Sequence, residues 1–252
     1  MTVRDLYERL CLSFPRELSC AWDRDGLMVC PNPAREVRKV LVTLDVTPRA
    51  VDMAIAEGVD AVISHHPLLF HPLGELSYEQ PTANKALRLA VAGISVLCFH
   101  TRADAAPGGV SDLLAEAMGL ANVETVGDEK ILRVGTLGEE ISPSALAQQV
   151  KTALGTPAVI LSDATRPVRT VAVSGGEGKD LISLARASGA DAYIAGRFGY
   201  HAMQDGAEAG LTLIEAEHYY TEVAILDRFA HLVQTASDAE VIFLREPPVT
   251  VL

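Results

Sequence analysis

Basic residues are in short supply in this chain, as are cysteines and long apolar runs. The 252 residues hold 21 lysines and arginines against 33 aspartates and glutamates, a formal net charge of −12. There is no Lys/Arg run that could track a phosphate backbone, so no nucleic-acid binding is expected. The four cysteines, Cys11, Cys20, Cys30 and Cys98, include no Cys-x-x-Cys pair. In a chain of this size they read as reduced, packed thiols rather than a disulfide framework or a zinc cage. No apolar stretch approaches the roughly 18 residues of a membrane span. Met1–Leu10 carries acids and lacks the long apolar core of a signal peptide, so a cytoplasmic chain is expected. Gly-x-Ser-x-Gly is missing and no cysteine has a paired base, which argues against a serine or cysteine nucleophile.

What remains is an acidic α/β chain with an ample core, 49% hydrophobic by residue. Val3, Leu6, Tyr7 and Leu10 recur at helical spacing behind Thr2, and Pro15 ends that helix. Ala21–Leu27 is a turn-rich segment with the only tryptophan, Trp22. Val37–Leu44 predicts a strand; Thr47 and Pro48 open a helix closed by Gly58. Thr82–Val91 and Ser111–Met118 predict helices, with a strand over Ile94–Phe99 between them. Further on, Ile131–Leu137 reads as a strand, and Ser142 caps a helix with Pro143 just inside it. Such alternation implies largely parallel sheets flanked by helices.

The chain also repeats itself. Val168–Val173 echoes Val37–Val42, and Gly189–Ile194 echoes Gly58–Ile63, both 131 residues later. Ala209–Ile214 echoes Ala92–Leu97 at an offset of 117. Two similar α/β units are expected: residues 1–125 with the His-His and His-x-x-x-Asp motifs, and 126–252 with a glycine turn and a His-x-x-x-Glu motif. The C-terminal part of the second is expected to pack with the first.

His65-His66 is the centre of the functional reading. Adjacent residues within a strand point to opposite faces, so neighbouring imidazoles there could not share a target. At the carboxyl end of Ala61–Ser64, Pro67 holds His66 extended or in a turn, and both rings can turn to one point. That end of an open α/β sheet is where ligands bind. An isolated pair would read as one core histidine beside one exposed one; the repeat shifts the balance. It places His100–Asp104 and His218–Glu222 after equivalent strands, and His218 and Glu222 share a face if they start a helix. His65, His66, Asp104, His218 and Glu222 form a candidate ligand set suited to zinc, iron, manganese or cobalt rather than calcium. Five ligands exceed what one catalytic zinc takes from protein and, with a bridging carboxylate, could hold two ions.

In the order Trp22-Asp-Arg-Asp-Gly-Leu27, Leu44-Asp-Val-Thr47, Ser64-His-His-Pro-Leu68, His100-Thr-x-x-Asp-Ala-Ala106, Gly175-Gly176 and His218-Tyr-x-Thr-Glu222, the chain resembles the Nif-three-like dinuclear-metal proteins. Members of that family often carry the name GTP cyclohydrolase 1 type 2 homologue. The resemblance covers nearly the whole chain. It implies that His65, His66, Asp104, His218 and Glu222 hold two divalent transition-metal ions, with Glu222 bridging. It further implies two intertwined, similar α/β units and a homohexameric ring. The chain departs from the family at Arg102-Ala103 (often Asn-Leu), Ala195-Gly196-Arg197 (Thr-Gly-acid) and Glu217 (Gly). These positions are expected at the pocket mouth, where Arg102 or Arg197 could steady an anionic group.

Other residues have plainer readings. Gly175–Asp180 matches no phosphate-loop pattern and reads as a tight turn or an anion-holding helix start. His71 and His231 read as structural or surface residues, and His201 as a neighbour of ligands or substrate. His100 reads as a proton shuttle, the candidate catalytic residue. Asp23, Asp25 and Asp45 fit turn and capping roles. Two functions follow: a two-metal hydrolase acting on a nucleotide or another phosphorylated or heterocyclic small molecule, or a non-catalytic metal carrier or regulator.

Overall fold

The β-branched runs fold as strands in the computed structural model, which describes residues 1–249. The chain divides into two compact units. The first comprises Met1–Ala106 and the described residues from Ile225 on; the second is Pro107–Ala224. The boundary expected near residue 125 thus falls after Ala106. Ala121–Val126 is a strand that pairs with Leu132–Ile141 and so belongs to the second sheet. Glu240–Leu244 pairs in parallel with Lys39–Thr43 and so belongs to the first.

In the first unit, Lys39–Thr43, Ala61–Ser64 and Ser95–Cys98 lie side by side and parallel, in chain order. Gly26–Val29 closes one edge antiparallel to Ser95–Cys98. One face is covered by helices Pro48–Ala56 and Pro81–Val91, whose Ala50, Val51, Ala54 and Leu89 pack with Leu41, Val62 and Val96. Helix Val3–Ser13 with its C-cap Phe14, and helix Ile225–Ala236, bring Tyr7, Phe14 and Phe229 against Phe99 at tilted ring angles. The capping expected at Thr2 is a full capping box with Asp5.

The second sheet is mixed. Val168–Val173, Ala192–Ala195 and Thr212–Glu215 are parallel and in chain order, and antiparallel strands occupy both flanks. Val171, Val173, Ile194 and Ile214 face one apolar cluster, while Ala172, Tyr193, Ala195 and Leu213 face another. Alternate residues are therefore buried on both sides, which is why these strands read as continuous apolar runs. Among the described residues no helix is long and apolar enough to cross a membrane.

The echoed aspartates, Asp60 and Asp191, make matching bonds. Asp60 Oδ2 accepts from the amides of Arg38 and Lys39, and Asp191 Oδ2 from those of Arg169 and Thr170. Each carboxylate thereby fixes the start of the preceding parallel strand. Burial works to raise the Asp60 carboxyl pKa, but the Arg38 and Lys39 amides and the Arg35 guanidinium lower it further, for a net fall below 3.8. A depressed carboxyl stabilises the fold above its unfolded pKa, and that contribution disappears as pH falls through the lower folded value. Asp60→Ala is expected to lose about 2–3 kcal/mol at neutral pH, the cost of stranding buried donors. The deficit relative to wild type should shrink in urea melts taken below pH 3.8, the carboxyl's ordinary value. A deficit constant across that range would rule the assignment out.

Candidate metal centre

In the first unit the carboxyl ends of the three parallel strands are in register, with Thr43 opposite Ser64 and Ser64 opposite Cys98. The segments that follow, carrying Asp45, His65-His66 and His100, consequently emerge side by side. Pairing continues past Ser64, since the His65 and His66 amides donate to the carbonyls of Thr43 and Leu44. The three imidazoles converge, with ring centroids 5.0 Å apart for His65–His66, 5.4 Å for His65–His100 and 5.8 Å for His66–His100. One nitrogen from each lies within 4.8 Å of the other two, a spacing at which these residues could hold a metal ion.

Each ring is oriented through Nδ1. His65 Nδ1 donates to the Phe99 carbonyl at 2.9 Å. His66 Nδ1 lies 2.9 Å from Asp45 Oδ1, and His100 Nδ1 lies 2.8 Å from Asp23 Oδ1. A carbonyl or carboxylate can only accept, so Nδ1 holds a proton in all three rings. Nε2 is then the nitrogen whose lone pair a metal can take. Metal-binding histidines are held in this way, by a carbonyl or carboxylate behind the ring. Asp104, on the short helix Thr101–Ala105, puts Oδ1 3.4 Å from His65 Nε2, where a shared proton or a cation relieves the two electron-rich atoms.

Asp23 and Asp45 thus do more than turn the chain. Asp23 also accepts from the Thr101 amide and hydroxyl, at 3.1 and 2.6 Å. Burial pushes its carboxyl up, but the bonds from His100 and Thr101 outweigh that and hold its pKa at about 2. Asp45 was obscured in the sequence by Thr47, which is itself the helix cap, accepting from the Ala50 amide. Cys98 is no nucleophile: burial raises its thiol pKa well above the ordinary value, and Sγ donates to the His65 carbonyl.

In the second unit, helix His218–Glu222 follows strand Thr212–Glu215 and brings His218 Nε2 to 3.2 Å from Glu222 Oε2. The glycine turn has a function the motif alone did not reveal. A Cβ on Gly176, whose φ is +60°, would lie 2.4 Å from Glu222 Oε1 and 3.2 Å from His218 Nε2. Its amide donates to Thr221 Oγ1, tying the turn to the helix. Of the two readings of the glycine turn, the plain tight turn describes it: a 3-10 turn, Lys179–Leu181, follows and leads into the six-residue helix Ile182–Ala187.

Arg102 does not reach a pocket mouth. It is fully buried, its Nε 2.8 Å from Asp25 Oδ2. Arg197 is exposed, as are His71, His201 and His231. Glu217 stands at φ +64° immediately before His218, a conformation that strains any residue with a Cβ. Glu217→Gly is expected to stabilise the protein by about 1 kcal/mol net of the flexibility gained in the unfolded chain. Thermal unfolding should show a midpoint higher by about 2–4 °C; an unchanged or lower midpoint would show that the strain is relieved elsewhere.

A family model described as Duf34/NIF3 (NGG1p interacting factor 3) matches residues 1–248. A Lactococcus lactis protein named GTP cyclohydrolase 1 type 2 homolog is 38% identical over 218 residues, covering 84% of this chain and 83% of its own. A Nostoc protein of the same name is 33% identical over 210 residues, covering 81% and 80%. The crystal structure of a Bacillus cereus protein related to NIF3 superposes with a TM-score of 0.89 at 21% identity, over 100% of this chain and 99% of that one. That last likeness is one of fold.

Proposed function

This chain belongs to the Duf34/NIF3 family, and from that membership we propose that it is a metal-dependent hydrolase acting on a nucleotide or another phosphorylated or heterocyclic small molecule. His65, His66, Asp104, His218 and Glu222 would hold two divalent transition-metal ions, zinc, iron or manganese, with the Glu222 carboxylate available to both. The observation that carries the reading is the pair of imidazoles, His65 and His66, held through Nδ1 by the Phe99 carbonyl and Asp45, a donor arrangement built for a cation. In the second unit the closeness of His218 to Glu222 supports it, as does the glycine turn packed against both. Bound ions of this kind supply Lewis acidity to the reaction. His100 accepts and returns a proton at Nε2, its Nδ1 proton being held by Asp23. The name shared by the Lactococcus and Nostoc relatives supports a nucleotide substrate. A homohexameric assembly belongs to the same reading and rests on the family resemblance.

Elemental analysis of protein purified without added metal is expected to give about two equivalents of transition metal per chain. The loaded protein should turn over at least one member of a panel of nucleotides, phosphoesters and cyclic amidines, with turnover abolished by His65→Ala and by Glu222→Ala. Metal bound tightly, with no turnover across the panel, would replace the hydrolase with a metal carrier or regulator.

A further inference from the structure

A cavity of about 680 Å³ opens in the first unit beside His66 and Asp45. Its walls are the loop after Pro67 and the first turns of helices Pro48–Ala56 and Pro81–Val91, with Thr47 and Thr82 among the lining residues. Lys85 is the only lysine or arginine that lines it. Lys39, by contrast, is neutralised by Glu57 and Glu240. Lys85, half-buried, makes no ion pair among the described residues. Loss of solvent lowers the affinity of its amine for a proton, and the charge of Asp45 only partly restores it. Asp45 is already engaged by His66, and Glu75, the other carboxylate of the lining, is exposed. A half-buried cation whose nearby carboxylate is already committed to a histidine favours the arrival of an anion.

The cavity wall also leads to the imidazoles. Phe70 lines the cavity and stands edge-on to both Trp22 and His100, with centroids at 6.4 and 6.2 Å. Trp22 in turn lies 6.3 Å from His100, yet 56% of it is exposed. In an acidic chain with one tryptophan, a half-exposed indole beside a histidine cluster offers a flat face for a planar ring.

We propose that this cavity is the subsite for the anionic group of the substrate, with Lys85 as its counter-ion and Trp22 and Phe70 packing against the planar ring that carries it. The ligand class is a planar heterocycle bearing a phosphate or a carboxylate. Its place next to the reacting centre rests on the hydrolase reading; its affinity for the anion does not.

The test uses the full chain, once loaded with manganese and once stripped with chelator, and follows quenching of Trp22 fluorescence alongside calorimetry. GMP is compared with guanosine, and nicotinate with nicotinamide, so that phosphate and carboxylate are scored separately against neutral partners. Lys85→Met is expected to weaken the anionic probe by about tenfold or more, as losing one charge-assisted hydrogen bond does. It should leave the neutral partner and the metal content unchanged, and Lys85→Arg should restore binding. An equal loss for charged and neutral probes would overturn the proposal, as would the absence of any anionic binding at millimolar concentration. Should the chain take up no metal while GMP or nicotinate still depends on Lys85, the dinuclear reading falls and the subsite stands. Metal uptake without Lys85 dependence would remove the subsite and leave the dinuclear centre in place.

Discussion

Arg102→Met is expected to cost the fold about 3–5 kcal/mol, the loss typical of removing one partner from a buried ion pair. The arginine has no exposed surface and its donors are all engaged inside the first unit. Nε meets Asp25, one terminal nitrogen meets the Phe14 carbonyl at 3.2 Å, and the other meets the Cys98 carbonyl at 3.2 Å and Tyr7 Oη at 3.3 Å. Its guanidinium also lies 4.5 Å from the Phe99 ring centroid. Methionine fills similar volume but strands Asp25 and two carbonyls. Set against the 5–15 kcal/mol usual for whole domains, roughly, the loss is severe. The effect should reach the histidine cluster, because Asp25 also accepts from the His100 amide. Urea unfolding of Arg102→Met, Asp25→Asn and the double variant is the measurement. The double variant should be less unstable than the sum of the singles, since neither charge is then buried alone. Strict additivity would mean that the pair does not act as a pair.

Arg102 also marks where sequence reading stops. It follows a strand end in a stretch of polar residues, so it reads as a pocket-mouth cation, whereas its partner Asp25 lies 77 positions away. Local pattern carries no signal for a pairing of that range. The parallel strands were legible because burial on both faces leaves continuous runs such as Val40–Val42 and Ala61–Ile63. The edge strand Gly26–Val29 was not legible: it has four residues, no alternation and turn formers beside it. His65-His66 could be singled out because Pro67 and the strand before it dictate where the rings go. Lys85 could not, since a lysine midway along an amphipathic helix reads as solvated; only the loop folded over it makes a cavity. The glycine pair was visible as a turn, but its need for a bare Cα arises from Glu222, in another part of the chain.

Asp45 and Asp23 make the same bond to a histidine, yet their removal is expected to give different losses, and the contrast assigns the three imidazoles. Asp45→Asn keeps the shape but replaces a carboxylate behind His66 with a neutral amide, whose nitrogen can also present a donor to Nδ1. The ring then becomes a weaker base or turns its proton to Nε2, and either change opposes metal binding. Metal affinity should fall about 10–100-fold, read as release at correspondingly lower chelator concentration. Asp23→Asn acts on His100, the proposed proton carrier. It should leave metal affinity nearly intact while lowering turnover of the first substrate found by about 10²–10⁴-fold. Because Asp23 also binds the Thr101 amide and hydroxyl, its variant needs a stability control. Thr101→Val, which removes the hydroxyl's bond to Asp23 together with the one it accepts from the Cys20 amide, serves that purpose and should leave turnover high. If Asp23→Asn sheds metal as readily as Asp45→Asn, then His100 is a ligand alongside His65 and His66. Proton transfer would in that case fall to another group.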